Sequence, residues 1–386
     1  MKATYDPTRI CFRQDSFLDR SYMFGSGCRP IINASIGTSM EHNTFEIEIA
    51  KAKVAVDAGA SMITDHSICG DVIAFHKELR SNIHVPLACV PIYELYLRNG
   101  EFTDDQALDM LKEVLDRGFN ILTIHATALL SDISHPITNG RLIKITSKGG
   151  RLILDRMAKT GLENPFYSQF SRILQLVKGY NAAISLAPIY RPAGVVDNSL
   201  DPNDPYWIEV SRMSTLVRQA VDAEVPIIVE GIGHAMLSLI PEYVKRAKAM
   251  CMGVPYKVLT VSTDIALGYD HISSAIASSV AVYNGADIVT AVTPSEHIAL
   301  PSIRQVEEGV VAANIAIHSA KLCTTDCVEM DRRMSRSRAT RRTCQGSIED
   351  AIYPIGAERA VRKDLFDKGC SMCGSLCAFI DKEEKK

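Results

Sequence analysis

Short apolar runs alternate with amphipathic stretches along most of the chain. Residues 45–60 and 104–118 are typical of the amphipathic stretches, since their apolar side chains recur with the helical period and each closes on or beside a glycine. The apolar runs are rich in β-branched residues, as strands are. We therefore predict strands at residues 31–36, 61–65, 85–92, 120–125, 183–187, 225–230, 257–261 and 287–293.

The number and order of these elements predict the fold. Strands that alternate with helices form a parallel sheet, and eight such units within roughly 270 residues match a closed (β/α)8 TIM barrel. An open doubly wound sheet has the same alternation and remains the alternative. We predict the barrel, with an N-terminal segment at 1–30, the catalytic barrel at 31–305, a helical region at 306–360 and a tail at 361–386.

A barrel would bring the polar residues that follow its strands to one end. Active sites of this fold lie at the carboxyl ends of the strands. The SKGGR loop at 147–151, between the fourth and fifth strands, can offer backbone N–H groups and a cation to a phosphate, although most such glycine pairs are only turns. The polar residues predicted at this end are Asn33, Asp65, His66, Tyr93, His125, Arg191, Glu230, His234, Asp264, Glu296 and His297.

The charge balance favours a small-molecule partner. The 386 residues include 42 Lys and Arg against 45 Asp and Glu, a net charge of −3, whereas a binder of nucleic acid or of a membrane surface normally shows a basic excess. We expect neither partner. The apolar runs are too short to span a membrane and the N-terminus lacks the apolar core of a signal peptide, so we expect a cytoplasmic protein with reduced cysteines.

An arginine-rich stretch follows the predicted barrel and a predicted helix at 306–322. Residues 331–342 contain six arginines in twelve positions. A solvated helix face is the favoured interpretation of this stretch, ahead of anion binding.

Three cysteines, Cys370, Cys373 and Cys377, lie within eight residues near the C-terminus. A structural zinc site takes four ligands, usually as two separated pairs. A 4Fe-4S cluster can instead be held by three thiolates, which leaves one iron open for S-adenosylmethionine and its reductive cleavage to a 5'-deoxyadenosyl radical. The gaps of two and then three residues reverse the usual order of radical enzymes, so the spacing favours a cluster and leaves zinc open.

A series of motifs resembles the phosphomethylpyrimidine synthase family of radical enzymes, which includes the hydroxybenzimidazole synthases of anaerobic cobamide biosynthesis. The resemblance runs from Asn33 to Cys377. It implies a (β/α)8 barrel, a helical C-terminal part, and a cluster-bearing tail that reaches the barrel of the neighbouring subunit in a dimer. The motifs, in order, are NASIGTS, ICGD, VPIY, TIHA, SKGGR, RPAG, VEGIGH, TDIALGYDH and VTPSEHIALP.

The resemblance also implies roles for individual residues. His234 of EGIGH and His297 of TPSEH would hold a divalent metal, for which zinc is expected, and Cys370, Cys373 and Cys377 would hold the 4Fe-4S cluster that binds S-adenosylmethionine. No proton- or radical-transferring residue is assigned. The implied partners are aminoimidazole ribotide, a second subunit and an electron donor such as flavodoxin or ferredoxin. The implied substrate contacts are Tyr93, His125, Ser147, Lys148, Gly149, Arg191, Glu230 and Tyr256.

Three residues depart from the pattern of the thiamine enzymes of this family. Ser35 replaces the second Asn of NAN, Thr64 replaces a Met, and Pro188 replaces an acidic residue. We therefore favour a paralogue, a carbon–carbon lyase that converts the ribotide to hydroxybenzimidazole, as a homodimer or as one subunit of a pair. The alternatives are the thiamine enzyme, which makes hydroxymethylpyrimidine phosphate, a catalytically silent partner subunit, and a zinc hydrolase.

Overall fold

Eight parallel strands form a closed barrel in the computed structural model, which describes residues 5–39, 44–138, 140–322, 325–340, 345–361 and 372–373. Each barrel strand pairs with its neighbour in chain order, and the last pairs with the first. The closed barrel confirms the predicted fold and excludes the open sheet. The strands are a preceding hairpin of β1 (Arg9–Phe12) and β2 (Tyr22–Gly25), then β3 (Ile31–Ile36), β4 (Met62–Asp65), β5 (Leu87–Cys89), β6 (Ile121–Ile124), β7 (Ala183–Leu186), β8 (Ile227–Glu230), β9 (Tyr256–Val258) and β10 (Ile288–Thr290).

The barrel strands read as continuous apolar runs because both of their faces are covered. Every residue of β4, β6, β7 and β8 is buried, as expected of parallel strands enclosed by helices. The predicted run at 85–92 gives a shorter strand because Pro91 occupies the first turn of the next helix. Proline fits that position because it has no N–H to donate.

Helices follow the strands and bury one apolar face each. The helix after Thr103 is an example, since a capping box joins Thr103 and Gln106 at its start. The helices of the barrel unit are α1 (Phe45–Asp57), α2 (Val72–Asn82), α3 (Pro91–Asn99), α4 (Asp104–Asp116), α5 (Ser131–Ser134), α6 (Lys148–Thr160), α7 (Pro165–Ser168), α8 (Phe170–Val177), α9 (Pro205–Asp222), α10 (Ile240–Met250), α11 (Asp270–Tyr283) and α12 (Ile303–Lys321), with a 3-10 turn at Val195–Asp197.

The N-terminal residues close one end of the barrel. The Tyr5 hydroxyl donates to the carbonyl of Val225, which lies before β8. Asn181, before β7, donates its amide to the carbonyl of Arg13 and accepts from the Arg13 N–H. These contacts cover the amino-terminal ends of the strands, called the base below. These contacts do not cover the carboxyl-terminal ends of the strands, called the mouth below.

The chain divides into two units, Met1–Ala316 and Ile317–Lys386. The second contains α13 (Thr325–Thr340), α14 (Gln345–Glu349) and α15 (Pro354–Ala360). Four of the six arginines of the arginine-rich stretch, Arg332, Arg333, Arg336 and Arg338, lie in α13 and are exposed, in agreement with a solvated helix face, and the other two lie outside the described residues.

Two further sequence expectations concern the tail and the membrane. Cys370 and Cys377 lie outside the described residues, whereas Cys373 is described and its free thiol is exposed. None of the helices in the described part of the chain has both the length and the apolar character needed to cross a membrane.

Candidate active site

A cavity of about 450 Å³ opens at the mouth of the barrel. Its walls come from the ends of several strands and from the loops that follow them. The structure brings together six of the eight predicted substrate contacts in these walls: Tyr93, His125, Ser147, Lys148, Arg191 and Glu230.

The SKGGR loop forms the first turn of α6 at the cavity wall. Ser147 is the N-cap, and its hydroxyl accepts a hydrogen bond of 3.0 Å from the N–H of Gly150. Gly149 lies against the ring of His125, where a Cβ atom would come within 2.2 Å of His125 Cε1. The predicted contact Gly149 thus allows the helix N-terminus to approach the cavity, and such a terminus favours an anion.

Two cationic side chains accompany this helix terminus. Lys148 Nζ lies 5.4 Å from the ring centroid of Tyr93, within the range of a cation–π contact. Burial lowers the pKa of Lys148. Arg191, which follows β7, lines the same cavity. A planar guanidinium, an ammonium and a helix N-terminus together form a suitable site for a phosphate group.

Two histidines of the cavity wall are neutral near pH 7. Burial lowers the pKa of His125 to about 4. Burial, with the charges of Lys148 and Lys257, lowers the pKa of His66 to about 4. His125 Nδ1 has no hydrogen-bond partner within the part of the chain that the structure describes. A buried polar atom without a partner is costly, so this nitrogen is free to bind a polar atom of a ligand.

Glu230 ends β8 and carries a negative charge into the cavity. Its Oε1 atom accepts a hydrogen bond of 2.8 Å from the Ser185 hydroxyl and one of 2.9 Å from Lys257 Nζ. Burial alone would raise the pKa of Glu230, but the Lys257 charge and hydrogen bond, with Arg191 and Ser185, outweigh it and lower the pKa to about 2. The carboxylate is therefore ionised at all working pH values.

Tyr256, a predicted substrate contact, does not line this cavity. Its side chain is fully buried, and its hydroxyl lies 2.8 Å from that of Tyr206 on α9. The hydroxyl also accepts from the N–H of Ile232 at 3.3 Å, and the ring occupies the space that a Cβ atom on Gly231 would need. Tyr256 thus supports the backbone of the EGIGH motif, while the next residue, Lys257, reaches Glu230.

The two predicted metal ligands lie side by side at the mouth. His234 Nε2 and His297 Nε2 are 3.1 Å apart. The opposite ring nitrogen of each is held by an aspartate: His234 Nδ1 lies 2.6 Å from Asp264 Oδ1, and His297 Nδ1 lies 3.1 Å from Asp270 Oδ1. Carboxylates in this position orient the imidazole rings, so that the two Nε2 atoms face each other within hydrogen-bond distance.

This pair fits a metal with two protein ligands. Two nitrogens at this separation can both reach one ion at the usual Zn–N distance of about 2.0–2.1 Å. Across the described residues, no cluster of three or more His, Cys, Asp or Glu side chains forms a candidate metal site. Water or substrate would therefore have to supply the remaining ligands.

Some residues of the site were missed by sequence reasoning. Asp270 lies in the TDIALGYDH motif together with Asp264, and its membership of that motif is the sequence feature that could have identified it. Glu48 and Lys51 form a buried ion pair of 2.6 Å on α1, and both line the cavity. Their spacing of three residues on one helix is too common to single them out.

The chain was compared with protein families and with curated proteins. The model of the radical SAM ThiC family matches residues 9–384. The chain belongs to this family. Its members are radical S-adenosylmethionine enzymes, so the family implies a 4Fe-4S cluster and S-adenosylmethionine as cofactors.

Curated relatives of this radical SAM ThiC chain have two kinds of name. "Phosphomethylpyrimidine synthase 2" of Syntrophotalea carbinolica is 33% identical over 98% of this chain and 90% of its own length. "Phosphomethylpyrimidine synthase" of Desulforudis audaxviator is 36% identical over 92% and 84%. "5-Hydroxybenzimidazole synthase BzaA" of Moorella thermoacetica is 35% identical over 92% and 84%. Identities this similar do not separate the two activities.

A comparison with solved structures gave weaker similarity. A dihydropteroate synthase of Xanthomonas albilineans aligns with a TM-score of 0.45 and 12% identity over 78% of this chain and 95% of its own. That of Yersinia pestis aligns with a TM-score of 0.45 and 11% identity over 81% and 98%.

Proposed function

We propose that this protein is a radical S-adenosylmethionine lyase that rearranges aminoimidazole ribotide to hydroxybenzimidazole. The proposal rests on where the three residues lie that differ from the pattern of the thiamine enzymes. Ser35 and Pro188 line the cavity, and Thr64 donates a hydrogen bond of 2.7 Å to Asn33 within the barrel. Changes at the walls, with the phosphate and metal groups retained, support the same substrate with a different outcome.

The cavity supports binding of a ribotide. Arg191, Lys148 and the N-terminus of α6 would hold the phosphate. The ionised carboxylate of Glu230 would accept a hydrogen bond from a ring or ribose donor. The neutral ring of His125 can donate to or accept from a second polar atom, since its Nδ1 is unpaired within the described residues. These contacts would fix both ends of the substrate.

His234 and His297 would hold a divalent ion, for which we propose zinc. Asp264 and Asp270 keep both imidazoles oriented and leave their Nε2 atoms facing each other, where an ion could take the place of their mutual hydrogen bond. Such an ion, when bound, can orient a substrate and polarise its oxygen or nitrogen atoms.

Cys370, Cys373 and Cys377 would hold the 4Fe-4S cluster, which supplies an organic radical from S-adenosylmethionine when it is reduced. The closed base and the deep mouth would keep water from the substrate. We further propose a dimer, with itself or with a paralogue, in which the tail of one subunit covers the mouth of the other. An electron donor such as flavodoxin or ferredoxin would reduce the cluster.

The product of the reconstituted enzyme tests this function. We would incubate the full chain, loaded with iron and sulfide, with the ribotide, S-adenosylmethionine and a reductant without oxygen. We expect 5'-deoxyadenosine that depends on the ribotide, and hydroxybenzimidazole identified by mass spectrometry. If no 5'-deoxyadenosine forms until a paralogue is added, the chain is a silent partner subunit. Activity in air that survives iron removal would instead indicate a zinc hydrolase.

The second candidate function is phosphomethylpyrimidine synthase. Relatives with that name reach 33–36% identity over at least 92% of this chain. This candidate predicts hydroxymethylpyrimidine phosphate as the product of the same incubation.

A further inference from the structure

We propose that Lys257 is a positioning residue that holds Glu230 as a fixed, ionised acceptor, so that the mouth selects a ligand with an N–H or O–H donor at this point. The inference rests on the proposed function for the identity of the ligand. It goes beyond that function because it assigns a role to a side chain that does not line the cavity itself.

The geometry of the two strands carries the proposal. Glu230 and Lys257 are register partners on the neighbouring parallel strands β8 and β9. Their side chains are 11% and 9% exposed, and Nζ lies 2.9 Å from Oε1. Ser185 on β7 donates to the same oxygen. Two donors on Oε1 fix the rotation of the carboxylate and leave Oε2 for the cavity that Glu230 lines.

The charges around Glu230 show why a fixed partner is needed. A carboxylate buried in this way would take up a proton if its charge were not balanced. Arg191 faces Glu230, but its charge would be shared with the phosphate of a bound ribotide. Lys257 is the cation in direct contact with Glu230 in this structure. The other ionisable groups that interact with Glu230 are His66, His125 and Tyr93.

An ionised carboxylate can only accept hydrogen bonds. The Oε2 atom therefore favours an amine or a hydroxyl and disfavours a carbonyl or a second carboxylate, which would leave a buried acceptor without a donor. The amino group and the ribose hydroxyls of aminoimidazole ribotide are donors of the required kind. Ligands that lack a donor there would be rejected.

The test compares ribotide binding to three variants of the full chain by titration calorimetry. Lys257→Met removes the charge at similar side-chain volume, and Lys257→Arg keeps the charge. Lys248→Met is the control, because it breaks a lysine–carboxylate pair at the base, where Lys248 Nζ lies 2.6 Å from Asp287 Oδ2. We expect Lys257→Met to weaken binding by about tenfold or more at pH 7, and Lys257→Arg to recover most of the loss. Lys248→Met should bind as the unaltered protein does.

The pH dependence separates positioning from general damage. Without Lys257 the carboxylate gains a proton more easily, so the ratio of affinities, unaltered protein to Lys257→Met, should rise as the pH falls from 9 to 6. A constant ratio, or equal affinities, would overturn the proposal. If Lys257→Met does not fold, Lys257→Gln, which keeps an uncharged donor, takes its place with the same expectations.

A second measurement needs no ligand and separates this inference from the proposed function. With glutamate labelled by ¹³C at its carboxyl carbon, the Glu230 signal is assigned by its loss in Glu230→Gln. We expect its titration to move to higher pH in Lys257→Met and to stay unchanged in Lys248→Met. An unmoved titration overturns the inference. If the unaltered protein does not bind the ribotide but the titration moves, the proposed substrate is wrong and the positioning role stands.

Discussion

The two ends of the barrel each contain a lysine–carboxylate pair, buried at the mouth and partly buried at the base, and the pairs are used differently. At the base, one oxygen of Asp287 accepts from Lys248 Nζ at 2.6 Å and from the N–H of Tyr256 at 2.9 Å. At the mouth, Lys257 and Ser185 occupy one oxygen of Glu230 and leave the other toward the cavity. The base thus pairs its charges with the chain's own backbone, whereas the mouth keeps polar atoms for a ligand.

Arg80 and the cavity wall show how other polar side chains are used at the two ends. Arg80 at the base donates from a terminal nitrogen to the carbonyls of Phe17 and Val85, which ties loops together, although its Nε atom has no partner among the described residues. At the mouth, the Thr123 hydroxyl and His125 Nδ1 have no partner in the residues described. A polar group that is left unpaired reduces stability, so the mouth is the end where we expect substitutions to change binding more than folding.

The largest expected effect concerns the tail. Cys373→Ala should remove the iron and abolish S-adenosylmethionine cleavage, because three thiolates are needed to hold the cluster. Both ends of the barrel should stay folded. Iron analysis, 5'-deoxyadenosine assays and circular dichroism measure these outcomes, and retained cleavage would rule out Cys373 as a ligand.

Mixing this variant with the double variant His234→Ala, His297→Ala tests the swapped dimer. Mixed dimers would pair an intact tail with an intact mouth and should recover part of the activity. No recovery, with subunit exchange shown to occur, would place the tail over its own barrel.

The next prediction is that the histidine pair at the mouth binds a divalent ion and that a histidine at the base does not. The double variant His234→Ala, His297→Ala should lose the bound divalent ion and all turnover, because both nitrogens face one point. His84→Ala removes an exposed side chain before β5 at the base and should keep the ion. Plasma mass spectrometry of dialysed protein gives the metal content, and an ion retained by the double variant would contradict the assignment.

The phosphate prediction concerns Arg191. Arg191→Met should weaken ribotide binding by about 100-fold, since a charge-assisted bidentate contact to phosphate is lost. Its thermal midpoint should change little, because Arg191 faces the cavity. Calorimetric titration and thermal unfolding test both parts, and an unchanged affinity would exclude Arg191 from the phosphate site.

For the Lys248–Asp287 pair at the base we predict the opposite, a change in stability and none in binding. Lys248→Met removes the ion pair and hydrogen bond from Lys248 to Asp287 and should lower the free energy of unfolding by about 2 kcal/mol. Ribotide affinity should be unchanged. Denaturant unfolding monitored at the single tryptophan, Trp207, measures the loss, and weakened binding at unchanged stability would contradict the division between the two ends.

A further expected effect is a pH dependence of stability from the mouth histidines. Burial lowers the pKa of His125 from 6.5 to about 4, so the unfolded chain binds its proton first as the pH falls. The stability associated with neutral His125 is present above pH 6.5 and is lost toward pH 4. His125→Gln should flatten the fall of the thermal midpoint in this window, whereas His84→Gln should not.

The strands were predictable from local patterns, whereas the closed barrel was predicted from their number and order and not from any pairing pattern. Runs such as 120–125 and 225–230 are apolar because both faces of a parallel strand are buried. Closure depends on the pairing of β10 with β3, a contact between distant segments that no local pattern records. At the site, the motifs named Glu230, His234 and Tyr256, of which Glu230 lines the cavity and Tyr256 does not. Successive strand residues point to opposite sides, and only the register with β8 identifies Lys257 as the partner of Glu230.

The most direct test of the central claim follows phosphorus from substrate to product. Hydroxymethylpyrimidine phosphate contains phosphorus and hydroxybenzimidazole does not. We would supply ³³P-labelled aminoimidazole ribotide to the reconstituted full chain, with S-adenosylmethionine and a reductant, and separate the aromatic product by chromatography. The account predicts an aromatic product that carries no label and has the mass of hydroxybenzimidazole. A labelled product with the mass of hydroxymethylpyrimidine phosphate would contradict it.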